Sequence, residues 1–394
     1  MNIILYDGQA RQDLLPLCFT RPVSELRTGI LTIREKWEQR LAGTYSWKTE
    51  AYLQTKFPMR LASDNWLIMG NVCPTKRLIE QVRLLNNGCG ISYQGYPVAA
   101  RLDETLLAAY LANEANVQWT EYSEPLELVQ YSWDLIRINA SQLQQDFDLL
   151  TANRESEPIS LTNQLIHPEN IFAEPGVKME FATINATDGP VFLGRDAEVM
   201  EGSLIRGPFA LGSQATVNMG SKIYGATTIG PNCKVGGEIS QSILMGFSNK
   251  GHDGFLGHSV LGEWCNLGAG TNVSNLKNSY EQIRIWNYRS QRFMKTGLQF
   301  GGVIMGDHSK AGINAMFNTG TVVGVGCNIH GSGFPRQFVP SFADGGPGGF
   351  KLHPLKTVFN TAGRVMERRN KTLTRVDEEI LSHVFEETAP FRRF

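Results

Sequence analysis

Residues 193–235 read LGRDAEVMEGSLIRGPFALGSQATVNMGSKIYGATTIGPNCKV, and their period decides the fold. Leu193, Val199, Ile205, Leu211, Val217, Ile223, Ile229 and Val235 fall six residues apart without a miss. Four residues after each comes Ala197, Ser203, Phe209, Ala215, Ser221, Thr227, Cys233 or Ile239, mostly small. A period of six is neither helical nor the alternation of an ordinary strand, and a fixed internal period outranks local propensity. One such unit cannot bury its own aliphatic side chain. Stacked units can, because each packs that side chain on those of the coils above and below. The first and fifth places therefore point inward, and the glycines between hexads permit the corners. After a two-residue slip the beat resumes at Ile243, Asn249, Phe255, Leu261, Leu267 and Val273. After an insertion it returns at Met305, Ala311, Phe317, Val323 and Ile329.

This pattern resembles the left-handed parallel β-helix of hexapeptide-repeat transferases, with three hexads per triangular coil and about six coils. The β-helix is expected over 159–350, with an insertion at 274–302 and carboxy-terminal helices over 351–394. Residues 1–158 carry no hexads. Strand signals at Asn2–Tyr6, Trp66–Met69 and Ile91–Tyr93 alternate with helical spacing at Thr28–Leu41, Thr75–Leu85 and Glu104–Glu114, ending near Trp133–Phe147. Such alternation argues for a mostly parallel α/β sheet. Polar Asn153–Pro158 reads as the linker. Pro354–Arg369 and Thr374–Glu387 read as helices, the second opening on a capping box of Thr374 and Asp377. The insertion sets Lys277, Arg284, Arg289, Arg292 and Lys295 among aromatic residues against one acid, Glu281, and reads as a basic lid meeting phosphates.

Composition bounds the partners. A formal charge of −1 argues against a nucleic-acid partner recruited by net charge. The amino terminus, MNIILYDGQARQ, is no signal peptide, and no stretch approaches a membrane span. Cys233, Cys265 and Cys327 fall in the small slot, and Cys18, Cys73 and Cys89 form no CxxC pair, so a cytoplasmic, reducing setting is expected.

Among the hexads, His252 stands out. It lies fourth in Asn249–Gly254 and points outward. Asp253 takes an inward corner slot and Asn249 an aliphatic one, and such local breaches of a strict repeat are expected at functional or strained sites. A carboxylate beside an imidazole fixes its tautomer and raises its basicity. A junction after the slip, with polar side chains binding loop backbone, is the plainer alternative. A base of this kind suits acyl transfer from a thioester to an amine, which needs no covalent intermediate.

The run Gly251-His252-x-x-Phe255-Leu256-Gly257, then Leu261-Gly262-x-x-x-Asn266-Leu267-Gly268-Ala269-Gly270-Thr271 and Asn275, resembles a known acetyltransferase signature. It is that of the bifunctional glucosamine-1-phosphate acetyltransferase/N-acetylglucosamine-1-phosphate uridyltransferases. TRPVSELR and GEWCNLGAGTNVSNLK resemble the divergent Bacteroidetes-type branch of that family. The resemblance implies acetyl-CoA as donor, an amino-sugar phosphate as acceptor and a homotrimer with its site at the subunit seam. It makes His252 the general base, with Asp253 beside it, and makes Asn266 and Asn275 substrate-binding or supporting residues. Ala269, Ile313 and Gly331 match positions lining the acetyl-CoA groove. Phe255 stands where the family has a tyrosine, and Tyr224 where an arginine grips the sugar phosphate. Phosphate binding is therefore expected from Arg206, Lys234, Lys250 or the basic insertion.

The amino-terminal half departs further. The family's loop GxGTRxxxxPK, whose amides and basic groups hold a triphosphate, is reduced to Gly8 and Arg11, then Arg21 within Thr20-Arg21-Pro22-Val23. Asn71 follows Gly70 where the family carries a metal-binding aspartate. Gly8, Arg11 and Arg21 remain the nucleotide-binding candidates, with Mg2+ the candidate ion, and uridylyl transfer is expected to be weak or altered. Two other readings stand beside this one. A zinc lyase would gather His252, His258 and His308 across a subunit seam, and a scaffold would bind sugar nucleotides without turnover.

Overall fold

The computed structural model describes residues 1–394. The amino-terminal sheet is built on β1 (Asn2–Tyr6), β2 (Thr44–Lys48), β3 (Asp64–Met69), β4 (Cys89–Tyr93), β5 (Tyr96–Asp103) and β6 (Gln118–Glu121). Their order is β2-β1-β3-β5-β4-β6. β5 runs antiparallel to both neighbours, so the sheet is mixed rather than mostly parallel. The cause is a tight hairpin. Gln94 and Gly95 both take positive φ, 52° and 74°, the geometry of a two-residue turn that matches strand twist.

The helix expected over Thr28–Leu41 is confined to α1 (Ile33–Glu38), where Thr32 and Glu35 form a capping box. Residues just before it are held differently: the Ile30 and Leu31 amides both donate to the Asp146 carboxylate. Thr75 caps α2 (Lys76–Arg83) and Asp103 caps α3 (Glu104–Leu111). The last stretch forms α4 (Asp134–Arg137) and α5 (Asn139–Thr151).

From Gln164 onward the chain winds into a three-faced prism of parallel ladders, the faces carrying six, nine and ten strands, the last of the ten, Gly349–Leu352, being antiparallel. The prism is thus taller than six coils, because the looser turns before Val191 already pair in register. The hexad slots behave as read: Leu193, Ala197, Leu211, Ala215, Val217, Cys233 and Val235 are fully buried. Corners turn at the fourth place, where Asp196, Gln214 and Asn232 adopt positive φ. Glycine fills the same place at Gly202 and Gly220, where a left-handed backbone costs it nothing.

The register after Val235 differs from the sequence reading by one residue. Ile223 pairs with Ile239, Ile229 with Leu244 and Val235 with Lys250, so the inward series runs Leu244, Lys250, Leu256 and not Ile243, Asn249, Phe255. Two successive corners are shortened, Val235 to Ile239 and Ile239 to Leu244. The slip totals three residues instead of two. One more short side, Leu256 to Leu261, brings the inward series back into the phase read from the sequence for Leu261, Leu267 and Val273.

One face, starting at Ile171–Ala173, is covered. Its outward Phe172, Phe192 and Ala210 pack with Ile30 and Leu143 of the amino-terminal domain, and Ile243, Val260 and Ile304 join that domain's main core. TRPVSELR is the plug between the two. Thr20 and Arg21 bond the Asp307 carboxylate, and Arg21 also reaches Glu263 at 3.0 Å.

The insertion closes the same seam as a hairpin, Arg284–Asn287 with Arg292–Lys295. Tyr288 packs edge-on against Phe19, while Asn287 and Arg289 bond Asp13. α6 (Leu355–Glu367) and α7 (Arg375–Glu387) complete the chain. The capping box at Thr374 and Asp377 forms as read, and the buried face of α7 is Ile380, Leu381 and Val384. His383 stacks on Tyr52 and Asp377 pairs with Lys56, so α7 buckles the two domains together. No helix is long and apolar enough to cross a membrane.

Candidate functional site

The corner Gly251–Gly254 sits directly over a corner of the coil below, backbone on backbone. A Cβ on Gly236 would meet the Gly251 carbonyl at 2.6 Å, and one on Gly237 the His252 carbonyl at 2.7 Å. Asn218, one coil further down, donates to the Gly251 carbonyl at 2.7 Å. His252 projects outward from this corner and is exposed. Asp253 is exposed as well, because the corrected register gives the inward corner slot to Gly254, and no hydrogen bond joins it to the His252 ring. Asp253 therefore does not orient the imidazole as expected.

Beside His252 a groove of about 730 Å³ runs up the face whose outward ladder is Lys234, Asn249, Asn266 and Lys310. Of the residues singled out in the sequence, His252, Asn266, Ala269 and Ile313 line it together. Ile313 is 73% exposed, an apolar side chain held open beside the groove. The far wall was not legible in the sequence. It is the end of α6, where Val365, Arg368 and Arg369 face the ladder and Arg369 donates to Asn249 at 3.1 Å. Lys234, Arg368 and Arg369 give the groove a cationic margin suited to phosphate groups.

The other assigned residues lie elsewhere. Phe255 and Asn275 flank the opposite side of the same corner, both closing over Gly257. There Asn275 Nδ2 lies 2.9 Å from His258 Nδ1, and Phe300 stacks on the ring. Tyr224 is exposed two strands below, its ladder running through Ser240 to Gly257. Arg206, one strand lower, is paired with Asp188 at 2.8 Å. Gly331 adopts φ 99° near Pro347 and does not line the groove. Lys250 is not a surface phosphate ligand. It is wholly buried, in an aliphatic slot of the prism. The insertion contributes no residue to the groove, so it is a clamp on the amino-terminal domain rather than a lid over His252.

The three histidines lie apart within the chain. His252 lines this groove, His258 a cavity against α4 and His308 one at the domain seam. Burial pushes His258 down to about 4 and His308 to about 3, so both rings are neutral wedges.

At the carboxyl ends of β1 and β3 the nucleotide candidates are built into the fold. Gly8 faces the Met69 side chain, which a Cβ would strike at 2.4 Å. Arg11 is buried, donating to the Cys18 carbonyl and Tyr52 Oη, and Arg21 is consumed by Asp307 and Glu263. Asp7, pushed up to about 6 by burial, accepts from the Val23 amide and Thr49, with Arg11 beside it. With that carboxylate engaged and Asn71 in place of a second, the donor set does not fit Mg2+.

Comparisons with known proteins match parts of the chain. Residues 3–155 match the sugar nucleotidyl transferase family model. The bifunctional protein GlmU of Methanocaldococcus jannaschii is 36% identical over 95 residues, which are 24% of this chain and 22% of that one. The bifunctional sugar-1-phosphate nucleotidylyltransferase/acetyltransferase of Sulfurisphaera tokodaii is 33% identical over 144 residues, 36% of this chain and 35% of that one. A hexapeptide transferase family protein from Anaplasma phagocytophilum aligns at 14% identity with a TM-score of 0.28, covering 57% of this chain and 92% of that one. That alignment is too loose to add to what the strand ladders define. The matches bear out the resemblance read from the sequence: segments of this chain are similar to the sugar nucleotidyl transferases and to bifunctional sugar-1-phosphate nucleotidylyltransferase/acetyltransferases. The matched segments span only 22% and 35% of those two relatives.

Proposed function

We propose that the chain is an acetyltransferase that moves the acetyl group of acetyl-CoA to the amine of an amino-sugar 1-phosphate of the glucosamine-1-phosphate kind. The observation that carries this reading is the convergence of His252, Asn266, Ala269 and Ile313 on one groove with a cationic margin. Bound there, acetyl-CoA supplies an activated thioester. His252 takes a proton from the attacking amine as the C–N bond forms and returns it to the leaving sulfur as the C–S bond breaks. Asn266 orients the acceptor through its amide, and Lys234, Arg368 and Arg369 hold phosphate oxygens.

The assembly we infer is a homotrimer. The face built from Gln164–Ile166 up to Phe255–Gly257 is covered by neither the amino-terminal domain nor the carboxy-terminal helices. It exposes Ile166, Leu204 and Tyr224 among polar Gln164, Arg206 and Lys222, a mixed surface open to threefold packing. The setting is the cytoplasm, a reading supported by six free cysteines. Coupling to nucleotidyl transfer, giving a UDP-N-acetyl-sugar for envelope synthesis, rests on the amino-terminal family match. The engaged Arg11, Arg21 and Asp7 favour weak or altered transfer in that domain. His252→Ala is the test: kcat for acetyl transfer falls about 10²–10⁴-fold, the usual worth of a positioned base. An unchanged kcat overturns the assignment.

A further inference from the structure

Lys250 stands in a slot that the repeat fills with Val235 one coil below and Leu267 one coil above. It is 0% exposed, among the largest wholly buried side chains of the chain. An ammonium in an aliphatic stack is costly unless its donors are satisfied. Here it bonds two carbonyls, that of Gly236 at 3.1 Å and that of His252. Neither carbonyl receives a backbone N–H. The reason lies in the shortened corner. Val235 and Ile239 are four residues apart, while Lys250 and Leu256 above them are six apart, so the upper corner overhangs the lower. Rungs close only at the two ends, from the Gly236 amide to Lys250 and from the Glu238 amide to Gly254, and the Gly236 and His252 carbonyls left between them need donors from inside.

We infer that Lys250 is a positioning residue: from within the prism its ammonium staples the His252 corner to the corner beneath it, fixing where the His252 ring projects. The inference rests on the acetyl-transfer reading for its catalytic consequence but not for its structural one. Burial holds Lys250 down, to about 8, while nearby Asp253 draws it back up. The ammonium thus persists at neutral pH, where it can bond both carbonyls at once.

Lys250→Met tests it, since methionine keeps the length of the stem and suits an aliphatic slot; Lys250→Leu serves if methionine is not accommodated. The staple predicts a variant that still folds, the stranded carbonyls offset by removal of a buried ammonium, with kcat for acetyl transfer lowered about 10²-fold, the worth of a misplacement near 1 Å. The acetyl-CoA KM changes less than about twofold, because the groove wall on α6 is untouched. Amide exchange over 251–255 speeds up. Full kcat in Lys250→Met beside a dead His252→Ala overturns the positioning role and leaves the base intact. If the wild type transfers no acetyl group, the reading of function falls. Exchange over 251–255 then decides the staple alone: faster in Lys250→Met upholds it, unchanged overturns it.

Discussion

Removing Asp307 should uncouple the two domains. Its Oδ2 accepts from Arg21 and from Thr20 Oγ1 at 2.7 Å, and its Oδ1 from the Glu263 amide at 2.8 Å. Both members of the ion pair are nearly buried, at 8% and 5% side-chain exposure. Asp307→Ala leaves the Thr20 hydroxyl and the Glu263 amide without acceptors and the Arg21 guanidinium without its nearer carboxylate. Breaking a buried pair from one side costs about 3–5 kcal/mol. Arg21 keeps Glu263, whose side chain is 32% exposed and screened by water, so the lower end, about 3 kcal/mol, is expected. Opening of the seam, followed by native-state amide exchange in residues 19–27, reads this loss directly. The double variant Arg21→Met/Asp307→Ala should regain part of it, since no uncompensated charge then stays buried. A single variant within about 0.5 kcal/mol of wild type would refute the view that TRPVSELR is a plug rather than a ligand loop.

His258 and His308 are held neutral by burial, well below the ordinary histidine value of 6.5. Unfolding therefore takes up protons there, and stability falls as pH drops from about 6.5 toward 4. Asp7, raised to about 6, works the other way: its contribution is complete below about 4 and lost as pH rises through 6. His308→Phe, which retains a ring beside Trp264, should flatten the histidine slope in chemical denaturation between pH 4 and 7, and Asp7→Asn should steepen the net rise. Arg369→Ala should raise the acetyl-CoA KM about tenfold or more with kcat little changed, as expected for phosphate binding shared by ground and transition states. Thr374→Ala removes a complete capping box and should cost about 1 kcal/mol, read as fraying of α7.

The prism was legible because six-residue periodicity leaves an unmistakable beat over Leu193–Val235. The beat blurs where corners shorten. Ile243 and Leu244 are both apolar and both buried, so neither hydrophobicity nor spacing separates the inward from the outward member. That ambiguity carried Asn249 and Asp253 into inward slots and hid Lys250 inside the core. His252, Asn266 and Ala269 were found because they fall within one continuous motif, and Ile313 because the resemblance extends past the insertion. Arg368 and Arg369 were not, since a helix more than 100 residues downstream gives no sign of which face it will cover. Arg11 and Arg21 look available in a glycine-poor loop. Only tertiary structure shows that Tyr52, Asp307 and Glu263 have claimed them. The basic insertion misled for the same reason: its Ile285 and Tyr288 are buried in the amino-terminal core, and of its cations Arg289 is taken up by Asp13.

A structure of the intact chain with acetyl-CoA bound, in the absence of an acceptor, tests the central claim most directly. The account places the phosphates at Lys234, Arg368 and Arg369, the pantetheine along Ala269 and Ile313, and the thioester beside the His252 ring. Density for the molecule in the domain-seam cavity beside Trp264 and His308, or an empty His252 groove at saturating ligand, would contradict it.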